Sequence, residues 1–367
     1  MEAKTSTSAT SIFRYICCVC ISLNILFWGS TNYYTGTIRN SPHPKPVVKI
    51  VQSKPHSSMS SINDTVLPEK KFLLTFDDPD TYQGPVVEGW PPGKNRSLPL
   101  YLRPTEDTFL MRPQKIEHNC KLLVIVHCRP NAFEGRRGVR STFGQYVKRD
   151  LAGDTVIIFL IGKHNGMTRF EQTKLRQEQN TFGDILQVSS SIDSCYVFEI
   201  TLFPSFQADM IDHYNNLTLK TLFTLKYFLN TSNFETGSDD DGLMADANET
   251  YSAAAPQYLV KIDDDSYLNL PLLWKSLEQN NISQLLMGSK FSKPVPWQIP
   301  KGNKRKKFTQ KWACPKYMYN GKSYPAMLSG SGYVMSRSAA SCLYNQALKL
   351  PFFHLEVGKR LLCEKNY

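Results

Sequence analysis

The segment YLVKIDDDSYLNL, residues 258–270, places three consecutive aspartates directly after a short apolar run that favours β-structure. The carboxylates of Asp263, Asp264 and Asp265 repel one another and resist the loss of water, so the cluster needs a positive partner. The apolar run predicts a buried strand that ends at these carboxylates. The segment therefore constrains the fold to a sheet with a charged strand end.

Further β-rich runs alternate with segments of helical periodicity. KLLVIVHC (121–128), DTVIIFLIG (154–162) and QYLVKI (257–262) predict buried strands. TKLRQEQNTFGDILQ predicts a helix that ends near Gly183, and YNNLTLKTLFTLKYFL (214–229) carries apolar residues at helical spacing. This alternation predicts an α/β domain with a largely parallel sheet. In such sheets ligands collect outside the carboxyl ends of the strands, where the aspartates lie.

The N-terminal third of the chain predicts a membrane-anchored protein. Residues 1–11 read as a cytosolic tail, and the apolar segment 12–29 predicts a transmembrane signal anchor, with a cleaved signal peptide as the alternative. Residues 30–117 are rich in Ser, Thr, Pro and Lys and predict a stem. The catalytic domain is then expected at 118–367, in the lumen of the secretory pathway.

Glycosylation signals and cysteines agree with a lumenal domain. The six N-x-S/T sequons begin at Asn63, Asn95, Asn216, Asn230, Asn248 and Asn281. The cysteines of the predicted lumenal part are Cys120, Cys128, Cys195, Cys314, Cys342 and Cys363. Disulfides are permitted in that compartment, but the spacing of these cysteines matches no zinc motif and does not determine their pairing.

The net charge of +11 does not indicate a nucleic-acid-binding protein. The N-terminal 62 residues contain six basic residues and one acidic residue, Glu2, and a second basic run is KGNKRKK (301–307). Such runs are typical of solvated surface, with phosphate or anionic membrane as the alternative partner. The chain shows no zinc-finger spacing, RNA-binding signature or basic-helix heptads, so we expect no nucleic-acid partner.

A carboxylate cluster at a strand end suits a hard divalent cation. Oxygen ligands bind Mg²⁺ or Mn²⁺, and these ions share their coordination shell with substrate phosphates. The alternative is an acidic turn that faces solvent. A second triple aspartate, in GSDDDGLMADAN (237–248), lies among Gly, Ser, Ala and Asn with no strand before it, so it predicts a loop.

Six blocks, in order over residues 118–358, resemble the β-1,3-galactosyltransferase family of inverting, nucleotide-sugar glycosyltransferases. They are RRGVRSTFG (R-x-x-I-R-x-T-W in the family), FLIG, EQNTFGDILQ, DHYNNLTLKT, KIDDDSYLN (K-x-D-D-D-x-[FY]-x-N) and KWACPKYMYNGKSYPAMLSGSGYVMS. Phe143 stands where the first block usually has Trp.

The resemblance implies a GT-A fold, a single-pass type II Golgi membrane protein, a UDP-sugar donor and Mn²⁺. It assigns the metal to Asp263 and Asp265, with Asp265 the more direct ligand. The implied donor-binding residues are Arg136, Arg140, Asp184, Asp263, Asp264, Lys311 and Trp312. Arg136 and Arg140 are spaced to share one helix face, where a guanidinium can pair with diphosphate, with Asp184 or with a packing helix.

The chain departs from the family where the catalytic base is expected. The family carries an E-D-V-[YF]-x-G segment, whose Asp is the base; here the text is HLEVGKRL (354–361). Glu356 and Gly358 match the ends of that segment, whereas the Asp has no counterpart and His354 does not match the family's metal-binding His. Glu356 is the local carboxylate that can substitute as the base, and the alternative for it is a surface acid near a frayed terminus.

A second departure is the segment Val188–Gln207, which separates two blocks that are continuous in the family. The first residues of the segment can be encoded by the sequence of an intron start, and the last residues by the sequence of an intron end. The segment is therefore interpreted as a retained intron or as a surface insertion. A retained intron predicts an exposed, apolar, protruding loop.

The sequence as a whole predicts a Golgi β-1,3-hexosyltransferase that transfers galactose from UDP-galactose. The expected acceptor is a glycan on a glycoprotein, glycolipid or proteoglycan. One alternative is transfer of N-acetylglucosamine or N-acetylgalactosamine. The other is a catalytically inactive, membrane-tethered homologue that binds glycans or acts as a chaperone.

Overall fold

The computed structural model describes residues 82–113, 120–163, 166–188, 212–231, 255–279, 283–292, 294–297 and 312–356. Outside these residues lie the predicted tail and anchor, residues 30–81 of the predicted stem, Lys311, and the sequons at Asn63, Asn248 and Asn281. Among the residues that are described, no helix is both long and apolar enough to cross a bilayer. The anchor at 12–29 therefore stays a prediction.

A mixed sheet of seven strands forms the centre of the described chain. The strands are β1 (Phe109–Met111), β2 (Leu122–His127), β3 (Thr155–Ile161), β4 (Ile185–Val188), β5 (Tyr258–Asp263), β6 (Leu286–Phe291) and β7 (Met327–Ser336). Their order across the sheet is β1-β4-β3-β2-β5-β7-β6. The four central strands, β4-β3-β2-β5, are parallel, whereas β1, β7 and β6 pair antiparallel with their neighbours. The α/β class and the parallel-rich sheet are thus confirmed.

Helices cover both faces of this sheet. They are α1 (Leu98–Leu102), α2 (Phe133–Ser141), α3 (Phe143–Asp150), α4 (Arg169–Phe182), α5 (Leu217–Asn230), α6 (Leu270–Gln279) and α7 (Arg337–Leu348). Leu123 and Ile125 of β2 pack in one apolar cluster with α1, α5 and α7. The alternate residues of β2 pack in a second cluster with α2, α3, α4 and α6. Every residue of β2 is buried, as expected for a strand covered on two faces.

The helix predicted to end near Gly183 does so, and the residues after it form a strand. Helix α4 begins at a capping box, in which Thr168 and Glu171 exchange hydrogen bonds with each other's backbone N–H groups. It ends at Gly183, whose φ of 65° lies in the left-handed region that favours glycine. The prediction of a helix that ends near Gly183 is therefore confirmed, and Ile185–Val188 after it is strand β4.

Residues 82–113, which the sequence places in the stem, pack on the α/β domain. Trp90, Leu98 and Leu102 are buried in the same apolar cluster as α5 and α7. Strand β1 pairs with β4 through Phe109 and Val188. Lys226 of α5 donates hydrogen bonds to three backbone carbonyls of this segment. The packed domain therefore begins well before residue 118, and Pro and Ser composition alone gave a boundary that was too late.

The predicted insertion begins inside a strand. Val188, its first residue, is a buried residue of β4 and pairs with Phe109. Residues 189–207 lie outside the described residues. The interpretation of this segment as a retained intron or as an insertion stays a prediction.

Candidate functional site

The three consecutive aspartates follow the carboxyl end of β5. Asp263 is the last residue of that strand and is in register with His127, the last residue of β2. The Asp264 backbone N–H donates to the His127 carbonyl oxygen at 3.2 Å, which ties the turn to the end of β2. Asp265 is exposed. The cluster thus lies where ligands of parallel sheets are bound.

Lys261 joins two carboxylates that are distant in sequence. Its side chain points from the middle of β5 and is buried, with no exposed surface. Its Nζ donates to Asp263 Oδ1 at 2.7 Å and to Glu356 Oε2 at 3.2 Å, and also to the Gly330 carbonyl oxygen. The three donors of the ammonium group therefore have three acceptors. One buried charge holds the strand-end aspartate beside the C-terminal acid.

Glu356 is a buried residue, so its alternative assignment as a surface acid is wrong. Its side chain is 7% exposed. The Tyr333 hydroxyl donates to Glu356 Oε1 at 3.0 Å, so each carboxylate oxygen accepts a hydrogen bond. A Cβ at Gly330 would lie 2.8 Å from Glu356 Oε2, which means that only glycine lets the carboxylate approach so closely.

The electrostatics of the site show an excess of negative charge. Burial raises the pKa of Asp263 to about 6; Glu356 and Asp265 add to this rise, and Lys261 opposes it. Burial and the Asp265 carboxylate also raise the pKa of Asp264. Asp263, Asp264, Asp265 and Glu356 thus bring four carboxylates to a site in which one ammonium group, that of Lys261, bridges two of them. A bound cation would relieve this repulsion.

An aromatic pair lies beside these carboxylates. Trp312 Nε1 donates to the Tyr214 hydroxyl at 2.7 Å. Burial raises the pKa of Tyr214; the hydrogen bond from Trp312 opposes this rise, and the Glu356 and Asp263 carboxylates add to it. Trp312 itself is 41% exposed. The pair therefore places a solvent-accessible indole next to the acidic cluster.

The carboxylates fit a hard divalent cation in their chemistry, although they do not complete its coordination. Mg²⁺ and Mn²⁺ prefer oxygen ligands, and Asp263 and Asp265 supply carboxylate oxygens only. In the part of the chain that the structure describes, no group of three or more His, Cys, Asp or Glu side chains is placed to hold a metal ion. A cation here would therefore need further oxygen ligands, such as substrate phosphates or water.

Arg136, a predicted donor-binding residue, is engaged in contacts within the protein. It is wholly buried, and its guanidinium donates to both oxygens of Glu178, to the Arg129 and Pro130 carbonyls and to the Cys128 sulfur. These contacts use all five N–H donors. Arg136 therefore anchors the loop after β2 to helix α4, and its role in donor binding stays a prediction.

Arg140 is also engaged in ion pairs between helices. Its guanidinium binds both oxygens of Asp184, at 2.7 Å each, and one oxygen of Glu178 at 2.7 Å. Asp184 was one of the predicted partners, and the contact to Glu178 is the predicted alternative of a packing-helix salt bridge. Arg140 lines an open groove of about 400 Å³ together with Phe133, Glu178 and Phe182. The aspartates of the site do not line this groove.

We expect Arg140→Ala to lower the free energy of unfolding by about 2–4 kcal/mol without changing the affinity for UDP. The substitution leaves Asp184 without its arginine in a partly buried position, and it removes one of the two arginines that bind Glu178, whose two oxygens still accept from Arg136. Arg137→Ala is the matched control, since the Arg137–Glu134 pair is exposed on the same helix and contributes below about 1 kcal/mol. Chemical denaturation and UDP titration measure both quantities. A large loss of UDP affinity confined to Arg140→Ala would restore the direct donor role.

Three of the six sequons fall within the described residues, and they differ in environment. Asn95 is exposed, and its Oδ1 accepts the Ser97 N–H at 2.8 Å. Asn230 is exposed at the end of α5. Asn216 is half-buried and its Oδ1 accepts a hydrogen bond from the Trp90 indole at 2.8 Å. In the folded chain the Asn216 amide is thus part of the packing.

The predicted site residues came together only in part, and some site residues had no predicted role. The structure joins Asp263, Glu356 and Trp312 to Lys261, Tyr214 and Tyr333. Lys261 carried a usable signal, because a lysine inside an apolar strand run is a charge that needs buried partners. Nothing local in the sequence marks Gly330 or Tyr333 as neighbours of Glu356.

The known proteins to which this chain is similar are glycosyltransferases. The family model described as Galactosyltransferase matches residues 243–357, which include the aspartates and Glu356. Human β-1,3-galactosyltransferase 1 is 24% identical over 338 residues, covering 91% of this chain and 78% of the relative. β-1,3-Galactosyltransferase 5 of Mus musculus is 26% identical over 268 residues, covering 71% and 69%. Lactosylceramide 1,3-N-acetyl-β-D-glucosaminyltransferase B of Danio rerio is 27% identical over 254 residues, covering 66% and 53%.

Proposed function

The chain belongs to the β-1,3-galactosyltransferase family and is a glycosyltransferase, and from that premise we propose that it transfers galactose from UDP-galactose to a glycan hydroxyl in β-1,3 linkage. The observation that carries the proposal is the Lys261 ammonium, which binds Asp263 and Glu356 together. A cation-binding carboxylate and a carboxylate suited to proton transfer are the two acidic groups that such a reaction needs.

Glu356 is the proposed general base. In an inverting transfer the acceptor hydroxyl oxygen attacks the anomeric carbon, and the bond from that carbon to the UDP oxygen breaks. The hydroxyl proton passes to the carboxylate, and UDP leaves with the bonding electron pair. Each oxygen of Glu356 already accepts one hydrogen bond, from Tyr333 and Lys261. A carboxylate has about four lone-pair positions, so capacity for an acceptor hydroxyl remains.

Asp263 and Asp265 are the proposed ligands of Mn²⁺. Bound there with the donor, the ion would supply charge stabilisation for the departing diphosphate. Lys261 keeps Asp263 in place through a hydrogen bond of 2.7 Å. Asp264 packs against helix α2, where a Cβ at Gly135 would lie 2.8 Å from its Oδ2, so its role is to fix the turn beside the ligands.

The aromatic pair is the proposed sugar contact. The Trp312 indole is accessible to solvent and is fixed by the Tyr214 hydroxyl. Aromatic faces with a polar edge suit sugars, which present both C–H and O–H groups. The sequence predicts donor binding for Lys311 and Trp312. Trp312 is the sugar contact proposed here, and the role of Lys311, which lies outside the described residues, stays a prediction.

Two alternatives to galactose transfer have specific support. Transfer of N-acetylglucosamine is favoured by the Danio rerio relative, whose name specifies that sugar. A homologue without transferase activity is favoured by the C-terminal segment, since the chain has Val357 after Glu356 where the family has its Asp base. A UDP-N-acetylgalactosamine donor is the remaining alternative from the sequence.

The proposed location is the Golgi membrane, with the domain in the lumen. The apolar segment 12–29 and the exposed sequons at Asn95 and Asn230 support a chain that enters the secretory pathway. Cys342 is disulfide-bonded, which is typical of an oxidising compartment.

The decisive experiment is a transfer assay with the full-length chain. It offers UDP-galactose, UDP-N-acetylglucosamine and UDP-N-acetylgalactosamine separately, with Mn²⁺ and a set of glycan acceptors. We expect transfer of galactose and a β-1,3 linkage in the product by nuclear magnetic resonance. Glu356→Gln, which keeps the shape of the side chain, should lose about 10²–10⁴-fold in kcat if Glu356 is the base. Transfer in neither wild type nor variant, with UDP still bound, would support the inactive homologue instead.

Binding of Mn²⁺ with UDP should weaken as the pH falls below about 6. The pKa of Asp263 is raised to about 6, so its carboxylate takes up a proton at a pH where an ordinary aspartate is still ionised. Competition with one proton predicts an affinity loss of about tenfold per pH unit below that value. Calorimetric titration at pH 5, 6 and 7 measures it, and Asp263→Asn should reduce the slope to the part that comes from the UDP phosphate, which itself titrates near pH 6. Constant affinity from pH 7 to pH 5 in the wild type would contradict the role of Asp263.

The same pKa shift predicts the opposite trend for stability without metal. The folded-state pKa of Asp263 is above the unfolded value, so proton uptake stabilises the folded chain. This contribution is complete below about pH 4 and is lost as the pH rises through about 6. A denaturation series in a chelating buffer should show this direction for the wild type and not for Asp263→Asn.

A further inference from the structure

Residues 87–103, here called the strap, cross the domain on the side of the site. In the chain the strap precedes strand β1. Its residues Val87 and Trp90 are buried. It contacts three segments that are separate in sequence. These are the turn Tyr214–Asn216, residues 312–319 and residues 350–356, and they carry Tyr214, Trp312 and Glu356 of the site.

Trp90 contacts all three of these segments. Its Nε1 donates to Asn216 Oδ1 at 2.8 Å, two residues after Tyr214. Its carbonyl oxygen accepts from the Tyr317 hydroxyl at 2.8 Å, five residues after Trp312. Its indole stacks on Phe352, with ring centroids 3.6 Å apart and planes 16° apart, four residues before Glu356. The residue is 3% exposed, and within the strap its ring also contacts Tyr101 and Lys94.

The neighbours of Trp90 in the strap strengthen the same three links. The Tyr317 hydroxyl also accepts the Val87 N–H at 2.8 Å. The Phe352 N–H donates to the Arg96 carbonyl at 2.6 Å, and Ser97 forms an antiparallel bridge with Pro351. Glu88 accepts a hydrogen bond from the Asn215 amide through its backbone carbonyl at 3.1 Å. Residues 87–97 of the strap thus contact the three segments, whereas Leu102 and Arg103 at its end accept hydrogen bonds from Lys226 of α5.

These three segments contain no strand of the sheet, although Glu356 is bound to the sheet through Lys261 and Tyr333. Asp263 is fixed by the β2–β5 register, whereas Tyr214 precedes its helix and residues 312–319 and 350–356 form neither a long helix nor a strand. Their contacts with one another include a hydrogen bond of 2.9 Å between His354 Nε2 and the Ala313 carbonyl. A shared buried partner is what can hold such segments in register with each other.

We propose that Trp90 is a positioning residue of the transferase site, which sets the placement of Glu356, Trp312 and Tyr214 through Phe352, Tyr317 and Asn216. The expected effect of Trp90 on the transfer rate rests on the proposed function. Its expected effect on the order of the three segments rests on the contacts alone. Trp90 touches no reacting atom. Displacement of a catalytic group by about 1 Å costs about 10²-fold in rate, so a buried support of this kind affects kcat more than donor binding.

The test compares Trp90→Phe with Trp274→Phe in the full-length chain. Trp90→Phe keeps an aromatic ring on Phe352 and removes the N–H that Asn216 accepts. Trp274 is a matched control, because its Nε1 donates to Thr155 Oγ1 at 3.0 Å, at the amino end of β3, opposite the site. Three quantities are measured for each variant: kcat for transfer, Kd for Mn²⁺ with UDP, and hydrogen exchange of the three segments by mass spectrometry.

We expect Trp90→Phe to lower kcat at least tenfold, to leave Kd within twofold, and to speed exchange in Tyr214–Asn216 and in residues 350–356, which the indole contacts, whereas residues 312–319 are bound through the Trp90 carbonyl oxygen that the variant keeps. Trp274→Phe should leave all three quantities within twofold, even if both variants lose similar thermal stability. Equal exchange in the two variants, or an unchanged kcat in an active Trp90→Phe, would overturn the proposal. If the wild type transfers no sugar, the proposed function fails while the exchange comparison still decides the role of Trp90.

Tyr317→Phe provides a second variant in case Trp90→Phe does not fold. It keeps the ring and removes only the hydroxyl that joins the strap to residues 312–319. The proposal expects faster exchange in residues 312–319 and a lower kcat at unchanged Kd. Wild-type exchange there would overturn the proposal.

Discussion

Lys261→Met is expected to lower the free energy of unfolding by about 3–5 kcal/mol at pH 7 and to abolish transfer. The side chain is buried, and its ammonium group is the direct partner of both Asp263 and Glu356. Methionine has a similar length and no charge, so it leaves two carboxylates near each other without compensation. Removing one partner of a buried ion pair costs about this much because the remaining charge is desolvated and unpaired.

Two companion variants separate charge from packing in this experiment. Lys290→Met removes an exposed lysine from strand β6 and should change the free energy of unfolding by less than about 0.5 kcal/mol. The double variant Lys261→Met with Glu356→Gln removes one of the uncompensated charges, so it should recover part of the stability and none of the activity. If Lys261→Met were as stable as Lys290→Met, the bridging role of Lys261 would be wrong.

Asp265→Ala is expected to remove Mn²⁺-dependent UDP binding and to lower transfer by about 10³-fold or more. The exposed carboxylate is the more direct of the two proposed metal ligands, and several kcal/mol of charge stabilisation is lost with the ion. Because Asp265 is exposed, its removal should leave the unfolding free energy within about 1 kcal/mol. Titration with Mn²⁺ and UDP, with a chelated sample as reference, measures the binding.

Asp154→Ala is the matched control for that loss. Asp154 is a partly exposed carboxylate that pairs with Lys121 at 3.2 Å. The two residues directly precede β3 and β2, so they lie at the amino ends of these strands, opposite the site. The Asp154→Ala variant should bind Mn²⁺ and UDP as the wild type does. Full UDP affinity in Asp265→Ala would place the metal on other oxygens and would remove Asp265 from the site.

The strands and their charged ends followed from the sequence because both are local properties. The runs at 121–128, 154–162 and 257–262 match β2, β3 and β5 within one residue at each end, since β-rich apolar runs of this length are buried strands in α/β proteins. The position of Asp263 at a strand end needed only its place after such a run. Strand β4 and the packing of residues 82–113 did not follow, because their short or Pro-rich text gives no periodic signal.

The sequence by itself determined the α/β class, the family resemblance and the strand-end aspartates, all of which depend on patterns within about ten neighbouring residues. Only the tertiary structure decided which distant groups meet. Lys261 and Glu356 are separated by 95 positions, and Trp90 and Asn216 by 126. It also placed Arg136 in a buried ion pair with Glu178, and Glu356 beside Lys261 and Asp263. Such pairings arise when layers of helices and strands pack against each other, and the contact that satisfies a buried charge is set by that packing rather than by the residues beside it.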